Sequence, residues 1–359
     1  MSKINISNIV DNGSLCRTYA RLRANEANGC THISEDNPIR IILSVEAEAV
    51  GDEKAESAYR TIDSIIETAG AKIRGYSSPI KKLKELYSII SEDCNLHFKE
   101  TVLLSEGLAM EEPIIDCDAA SFIYLAVAHE LNWPVYLAHA RDHVFIFWKT
   151  NENENLYFET TDGGIAEEKY REYAEPRAKR YIKNQENLII GTTYQNRGSA
   201  YGKQDRYELA VSDLTRAIEL CPYEAFGYNN RGIAYFNSCE YDPAVRDFTR
   251  AIELAPGFAI DYVNRADAYS NLGKYDLAIL DYTRAIELDP KYVDAYNNRG
   301  ALYAITGRYD LAIKDFTKII VELDPNFADA YQNRAFVYRQ TGNIQEAGKD
   351  EEMYRKLKN

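Results

Sequence analysis

Residues 225–258 read AFGYNNRGIAYFNSCEYDPAVRDFTRAIELAPGF. Tyr228, Arg231, Gly232 and Tyr235 fall at helical spacing and share one face of a first helix. Ala244, Phe248 and Ala251 form the matching face of a second helix. Gly232 has no side chain, which lets the second helix approach closely. Pro256 stops that helix, because it has no N–H to donate and its ring clashes with the preceding turn. The stretch predicts a helical hairpin.

The hairpin recurs. Tyr194, Tyr228, Tyr262 and Tyr296 are 34 residues apart, and Tyr331 follows 35 later. Pro222, Pro256, Pro290 and Pro325 repeat the same spacing. The extra residue lies in Lys318-Ile319-Ile320-Val321-Glu322, where the other copies read Thr-Arg-Ala-Ile-Glu-Leu. These residues match the tetratricopeptide-repeat (TPR) pattern, with Tyr at the usual Trp and Arg at the usual Leu, so the C-terminal half resembles that family. The resemblance implies five copies, at 191–224, 225–258, 259–292, 293–327 and 328–359, stacked as an all-α superhelical solenoid that holds a protein or peptide partner in a concave groove.

By the same resemblance the groove is lined from the first helices. The lining residues are Gln195, Ser199 and Lys203, then Asn229, Ile233 and Asn237, then Val263, Asp267 and Asn271. Asn297, Ala301 and Ile305 follow, then Gln332, Phe336 and Arg339. The lining is mostly neutral and does not reproduce the Lys/Asn/Arg set with which some relatives clamp a chaperone's terminal carboxylate. The pairs Asn196-Arg197, Asn230-Arg231, Asn264-Arg265, Asn298-Arg299 and Asn333-Arg334 recur with the period, which reads as shared inter-repeat packing and not as a binding ladder. After Ala347 the last copy turns polar, as a capping helix requires.

The N-terminal half reads differently. Residues 1–37 are polar and weakly patterned, a leader without a clear element. Ala58, Ile62, Ile65, Ile66 and Ala69 predict an amphipathic helix from Glu53 to Arg74, and Ser78-Pro79 opens another. A helix starting near Cys117 is apolar almost all round, hence buried, and ends at Asn132-Trp133-Pro134. Three strands follow, at 134–138, 143–148 and 156–160.

This order offers a cysteine nucleophile. A helix N-terminus favours the thiolate at Cys117. His143, opening a strand, is the candidate base, and Glu159 on the next strand its orienting partner, with Asp162 as fallback. His129 reads as a packed residue. A zinc site from His139, His143 and Cys117 has the wrong setting, since the four-residue spacing falls on strand and turn. Asp116-Cys117-Asp118, Asp142-His143-Val144-Phe145 and Phe158-Glu159-Thr160 resemble the transglutaminase-like (papain-like) superfamily over residues 80–165, with Glu where that family most often has Asp. The resemblance implies an α+β domain at 38–190 and a cysteine-dependent acyl transfer resolved by water or an amine, with the repeats recruiting the substrate protein or an adaptor. The competing expectation is a non-catalytic interaction scaffold with a degenerate domain of this kind.

Composition bounds both readings. The net charge of −14 argues against nonspecific nucleic-acid binding. The six cysteines form no Cys-x-x-Cys pair, as expected of reduced thiols. No apolar run suits a membrane or a signal peptide, so a cytoplasmic location is the expectation. No cofactor and no metal are expected, and the oligomeric state is left open.

Overall fold

The computed structural model describes residues 33–34, 37–93, 97–98, 114–115, 117–139, 144–150, 155–158, 160 and 174–358. The chain divides into two compact units, Met1–Tyr223 and Glu224–Asn359.

The first unit opens with α1 (Ile39–Val50), α2 (Asp52–Ile73) and α3 (Pro79–Ser88). Pro79 occupies the first helical turn, where an N–H would have no intrahelical partner. A π-helical turn (Ile89–Asp93) extends α3, and β1 (His97–Phe98) pairs with β2 (Ile114–Ile115) in parallel. Helix α4 (Cys117–Glu130) follows, then β3 (Val135–His139), β4 (Val144–Lys149) and β5 (Asn155–Phe158). These three strands form an antiparallel sheet in chain order, with Leu137 opposite Ile146 and Ile146 opposite Phe158. The expected helices and strands are present within one or two residues. Helix α1 has no counterpart in the sequence reading: Arg40, Ser44 and Glu46 are buried in it beside Ile39, Ile42 and Leu43, so no polar face marks it as amphipathic.

Helix α4 is covered all round between Ala119 and Ala128. Ala119, Ala120 and every residue from Phe122 to Ala128 are buried, and β4 is buried on both faces from Val144 to Trp148. Tyr124 meets Phe158 at 5.7 Å between ring centroids, and Trp133 meets Trp148 at 5.3 Å. Lys82 lies over both indoles, a cation against two π faces. The unit ends with α5 (Ala178–Lys183), α6 (Gln185–Lys203) and α7 (Tyr207–Leu220).

The second unit is a run of hairpins: α8 (Ala225–Asn237) with α9 (Tyr241–Leu254), α10 (Ala259–Asn271) with α11 (Tyr275–Leu288), α12 (Val293–Ile305) with α13 (Tyr309–Lys318), and α14 (Ala328–Gln340) with α15 (Ile344–Lys358). Within a hairpin the chain turns through a left-handed residue, Gly273, Gly307 or Gly342 at φ 71°, 76° and 80°, which glycine adopts without a Cβ penalty. In α8–α9 that residue is Cys239, at φ 64°. The extra residue of the 35-residue copy is absorbed as a π-helical turn, Ile319–Leu323, with Ile319 and Ile320 kept buried and Val321 turned outward. An insertion is thus taken up locally, and Phe327 still leads into α14 in register.

Candidate functional site

The repeated arginines are tied down. Arg231, Arg265, Arg299 and Arg334 each place Nε and Nη2 on the two carboxylate oxygens of Asp247, Asp281, Asp315 and Asp350, at 2.7 or 2.8 Å. This fork joins the two helices of one hairpin. The remaining Nη1 of Arg265, Arg299 and Arg334 donates to Thr249, Thr283 and Thr317 of the preceding hairpin, at 3.1, 3.0 and 2.9 Å. Each arginine also lies against ring faces, Arg299 over Tyr296 and Tyr303 for example. Tyrosine suits these positions because its hydroxyl has work: Tyr262 donates to the Pro256 carbonyl at 3.2 Å and Tyr331 to that of Pro325 at 3.1 Å.

Arg197 shows the rule at the edge of the array. It forks onto Asp213 at 2.6 and 2.7 Å, and its Nη1 donates to the Val45 carbonyl of α1 at 2.7 Å. Helix α1 thus supplies the acceptor that a preceding hairpin would otherwise provide. The packing reading of the Asn-Arg pairs fits all five arginines. The sequence reading missed the aspartates, although they recur with the same period sixteen residues after each arginine.

The asparagines of the same pairs join successive first helices. Asn264 donates to Asn229 at 3.0 Å, Asn298 to Asp267 at 3.4 Å and Asn333 to Asn297 at 3.0 Å. Helices α8, α10, α12 and α14 therefore present one face. Of the residues expected to line it, Ile233, Asn237, Asn271, Ile305, Gln332, Phe336 and Arg339 are exposed. Asp267, Asn297 and Ala301 are half-buried, and Asn229 and Val263 are buried between the helices. Arg339 is engaged by Glu351 at 2.6 Å. In the first unit Gln195 is buried, Ser199 half-buried and Lys203 exposed.

Asp267 has unusual neighbours. Its Oδ1 accepts from the Tyr282 hydroxyl and from Asn298 Nδ2. Burial raises the Asp267 carboxyl above the ordinary range, and the Asp294 carboxylate adds to this, while the two hydrogen bonds work against it. Burial and the Asp267 charge hold the Tyr282 hydroxyl far above the usual phenol range, so it stays a donor.

Of the proposed nucleophilic set, Cys117 is the first residue of α4, as expected, but its side chain lies outside the described residues. So do His143, Glu159 and the fallback Asp162. One turn along α4 from Cys117, the buried Ser121 hydroxyl reaches the Val144 carbonyl at 3.4 Å and the Thr160 hydroxyl at 3.1 Å. His129 is half-buried near the end of α4, beside Ser34 and Glu130. The Cys221 thiol is buried and donates to the Asn187 carbonyl, while Cys239 is exposed. Among the described residues no His/Cys/Asp/Glu cluster fits a metal ion, and no helix is long and apolar enough to cross a membrane.

Family models for tetratricopeptide repeats match residues 191–224, 225–258, 266–307, 293–327 and 318–349. The C-terminal part of the chain consists of such repeats. A crystal structure of MamA is 24% identical, over 45% of this chain and 94% of its own, with a TM-score of 0.43. Another, MamA MSR-1, is 26% identical over 47% and 97%, with a TM-score of 0.42. YrrB, described as a TPR protein with an unusual peptide-binding site, is 23% identical over 50% and 91%, with a TM-score of 0.42. The search of curated proteins gave no match.

Proposed function

We propose that this chain is an interaction protein whose repeats hold a segment of a partner protein against the face formed by α8, α10, α12 and α14. One observation carries the reading. The repeated arginines Arg231, Arg265, Arg299 and Arg334 are committed to internal ion pairs, while Ile233, Ile305 and Phe336 stand 38%, 64% and 56% exposed on the face. Burying that apolar area under a ligand is favourable by about 25 cal/mol per Å² before the costs of association. The exposed amides of Asn237, Asn271 and Gln332 add donors and acceptors for a peptide backbone.

The test is peptide display against the full chain, followed by the double substitution Ile305→Glu and Phe336→Glu. Both side chains are exposed, so helicity is expected to stay unchanged. Selected peptides should lose binding to the variant. Peptides that bind it as tightly as the natural chain would sink the proposal.

A second reading keeps the cysteine chemistry of a transglutaminase-like domain. Its support is Ser121: four residues along α4 from Cys117, its hydroxyl reaches Val144 and Thr160, the residues that follow His143 and Glu159 in the chain. Under this reading His143, oriented by Glu159, takes the Cys117 thiol proton, the thiolate adds to an amide or ester carbonyl, and the His143 imidazolium protonates the leaving amine or alcohol as its bond to the acyl carbon breaks; water or an amine then releases the acyl group from Cys117. Iodoacetamide at mildly acidic pH should then label Cys117 well ahead of the other cysteines, and His143→Ala should abolish the lead. Uniform labelling rejects it.

A further inference from the structure

Ile233, Asp267, Ala301 and Phe336 hold the same position in four successive first helices, 34, 34 and 35 residues apart, and so make one row across the face. Asp267 is the acid in a row that is otherwise apolar. Its surroundings depart from the neighbouring repeats in two linked ways. Ala266 stands where they have Gly232 and Gly300, and Tyr282 stands where they have Phe248 and Phe316. In those repeats an added Cβ would lie 2.6 and 2.8 Å from the phenylalanine ring. In this repeat Ala266 and Tyr282 belong to one buried cluster, and the Tyr282 hydroxyl reaches Asp267.

Both donors to Asp267 arrive at Oδ1. Among the described residues Oδ2 accepts no hydrogen bond and no cation pairs with Asp267. Arg265, two residues away, is committed to Asp281 and Thr249. The charged group that does act on Asp267 is another carboxylate, Asp294 on α12. A half-buried carboxylate that feels a like charge and has no counter-ion among the described residues is less acidic than usual. The group that relieves both conditions is a cation with N–H donors.

Resting on the peptide-binding reading above, we infer that Asp267 selects the ligand: it takes a lysine or arginine side chain of the bound peptide on Oδ2, with apolar side chains of the same peptide settling against Ile233 and Phe336. The spacing follows from the stack. Neighbouring helices lie about 10 Å apart, and an extended chain advances about 3.3 Å per residue. The basic residue therefore falls about three residues from the anchor at Ile233 and about six from the anchor at Phe336. Acidic and phosphorylated segments are disfavoured at this position, since they meet Asp267 and Asp294 with like charge.

The probe is a fluorescein-labelled, C-terminally amidated ten-residue peptide with leucine at its first and last positions, lysine at the fourth, and glycine and serine elsewhere. Three companions carry arginine, glutamine or glutamate in place of the lysine. Polarisation is read against the full-length chain at low and high salt. The lysine and arginine peptides should bind at least about tenfold tighter than the glutamine peptide, as charge-assisted hydrogen bonds do, with glutamate weakest. High salt should narrow the difference. Asp267→Asn keeps an oxygen for Tyr282 to donate to, so the fold is retained, and it should bring the four affinities within about twofold. Equal binding of lysine and glutamine peptides, or a lysine preference that survives Asp267→Asn, overturns the inference. If binding is charge-blind yet lost in the Ile305→Glu, Phe336→Glu variant, the peptide-binding reading stands and this one falls. No binding of any of the four rejects both.

Discussion

Gly232→Ala and Gly348→Ala are the same chemical change in two helices of one unit, and they should move stability in opposite directions. In an exposed helix the methyl group stabilises by up to about 1 kcal/mol, because glycine loses the most backbone entropy on folding. Gly348 is such a site: an added Cβ meets nothing within 4 Å. At Gly232 the Cβ would lie 2.6 Å from Phe248 Cε1, 2.8 Å from Cδ1 and 3.1 Å from Cζ. Those distances fall up to about 1 Å inside ordinary carbon contact. The Phe248 ring has nowhere to go, since it is buried against Ala244 and, in the next hairpin, Ala268. Overpacking of this kind costs about 1–3 kcal/mol, so after a helix gain of about 1 kcal/mol the net loss is up to about 2 kcal/mol. Urea titration followed by circular dichroism reads both variants, provided transitions are compared at equal slope, because repeat arrays need not unfold in one step. Gly232→Ala unfolding at the same urea concentration as the natural chain, or a higher one, would refute the reasoning and leave helix propensity as the governing effect.

Other consequences are checked with similar measurements. Arg299→Met leaves the Asp315 carboxylate buried without its partner and should cost about 3–5 kcal/mol, whereas Arg299→Met with Asp315→Leu should recover most of that loss in the same titration. Cys239→Gly should stabilise by about 0.5–1 kcal/mol, because the left-handed conformation at φ 64° costs a side-chain-bearing residue more than glycine's entropy costs on folding. Glu130 sets a pH dependence. Burial pushes its carboxyl up, but hydrogen bonds from His129, Asn37 and Ser34 outweigh that and hold it at about 2, against an ordinary value of 4.5. As pH falls the unfolded chain takes the proton first, so the contribution present above pH 4.5 is lost between there and about pH 2. The gap in melting temperature between the natural chain and Glu130→Gln should narrow across that window.

Much of the repeat half was legible beforehand because its information is local and periodic. A 34-residue spacing of tyrosine and proline, with small residues at fixed offsets, specifies a hairpin that has one way to stack. The extra residue near Val321 was visible too, but not its accommodation: a π-helical turn keeps Ile319 and Ile320 inside, and that choice depends on what they pack against. In the first unit the three strands were legible in the sequence, while α1 escaped notice because its polar residues are buried among partners remote in the chain.

The sequence by itself determined the repeat and its register, since these depend on periodicity alone. Only the tertiary structure decided what each polar residue does there. The period marks Arg265 and Asp267 equally as charged residues on one helix. Packing separates them: Arg265 finds Asp281 and Thr249 on other helices and is spent on cohesion, while Asp267 finds a tyrosine, an asparagine and a second acid, and among the described residues keeps one oxygen without a hydrogen bond. Side-chain type is written in the chain, whereas the partner that satisfies or fails to satisfy it comes from segments fifteen to thirty-one residues away, brought within reach by the stack.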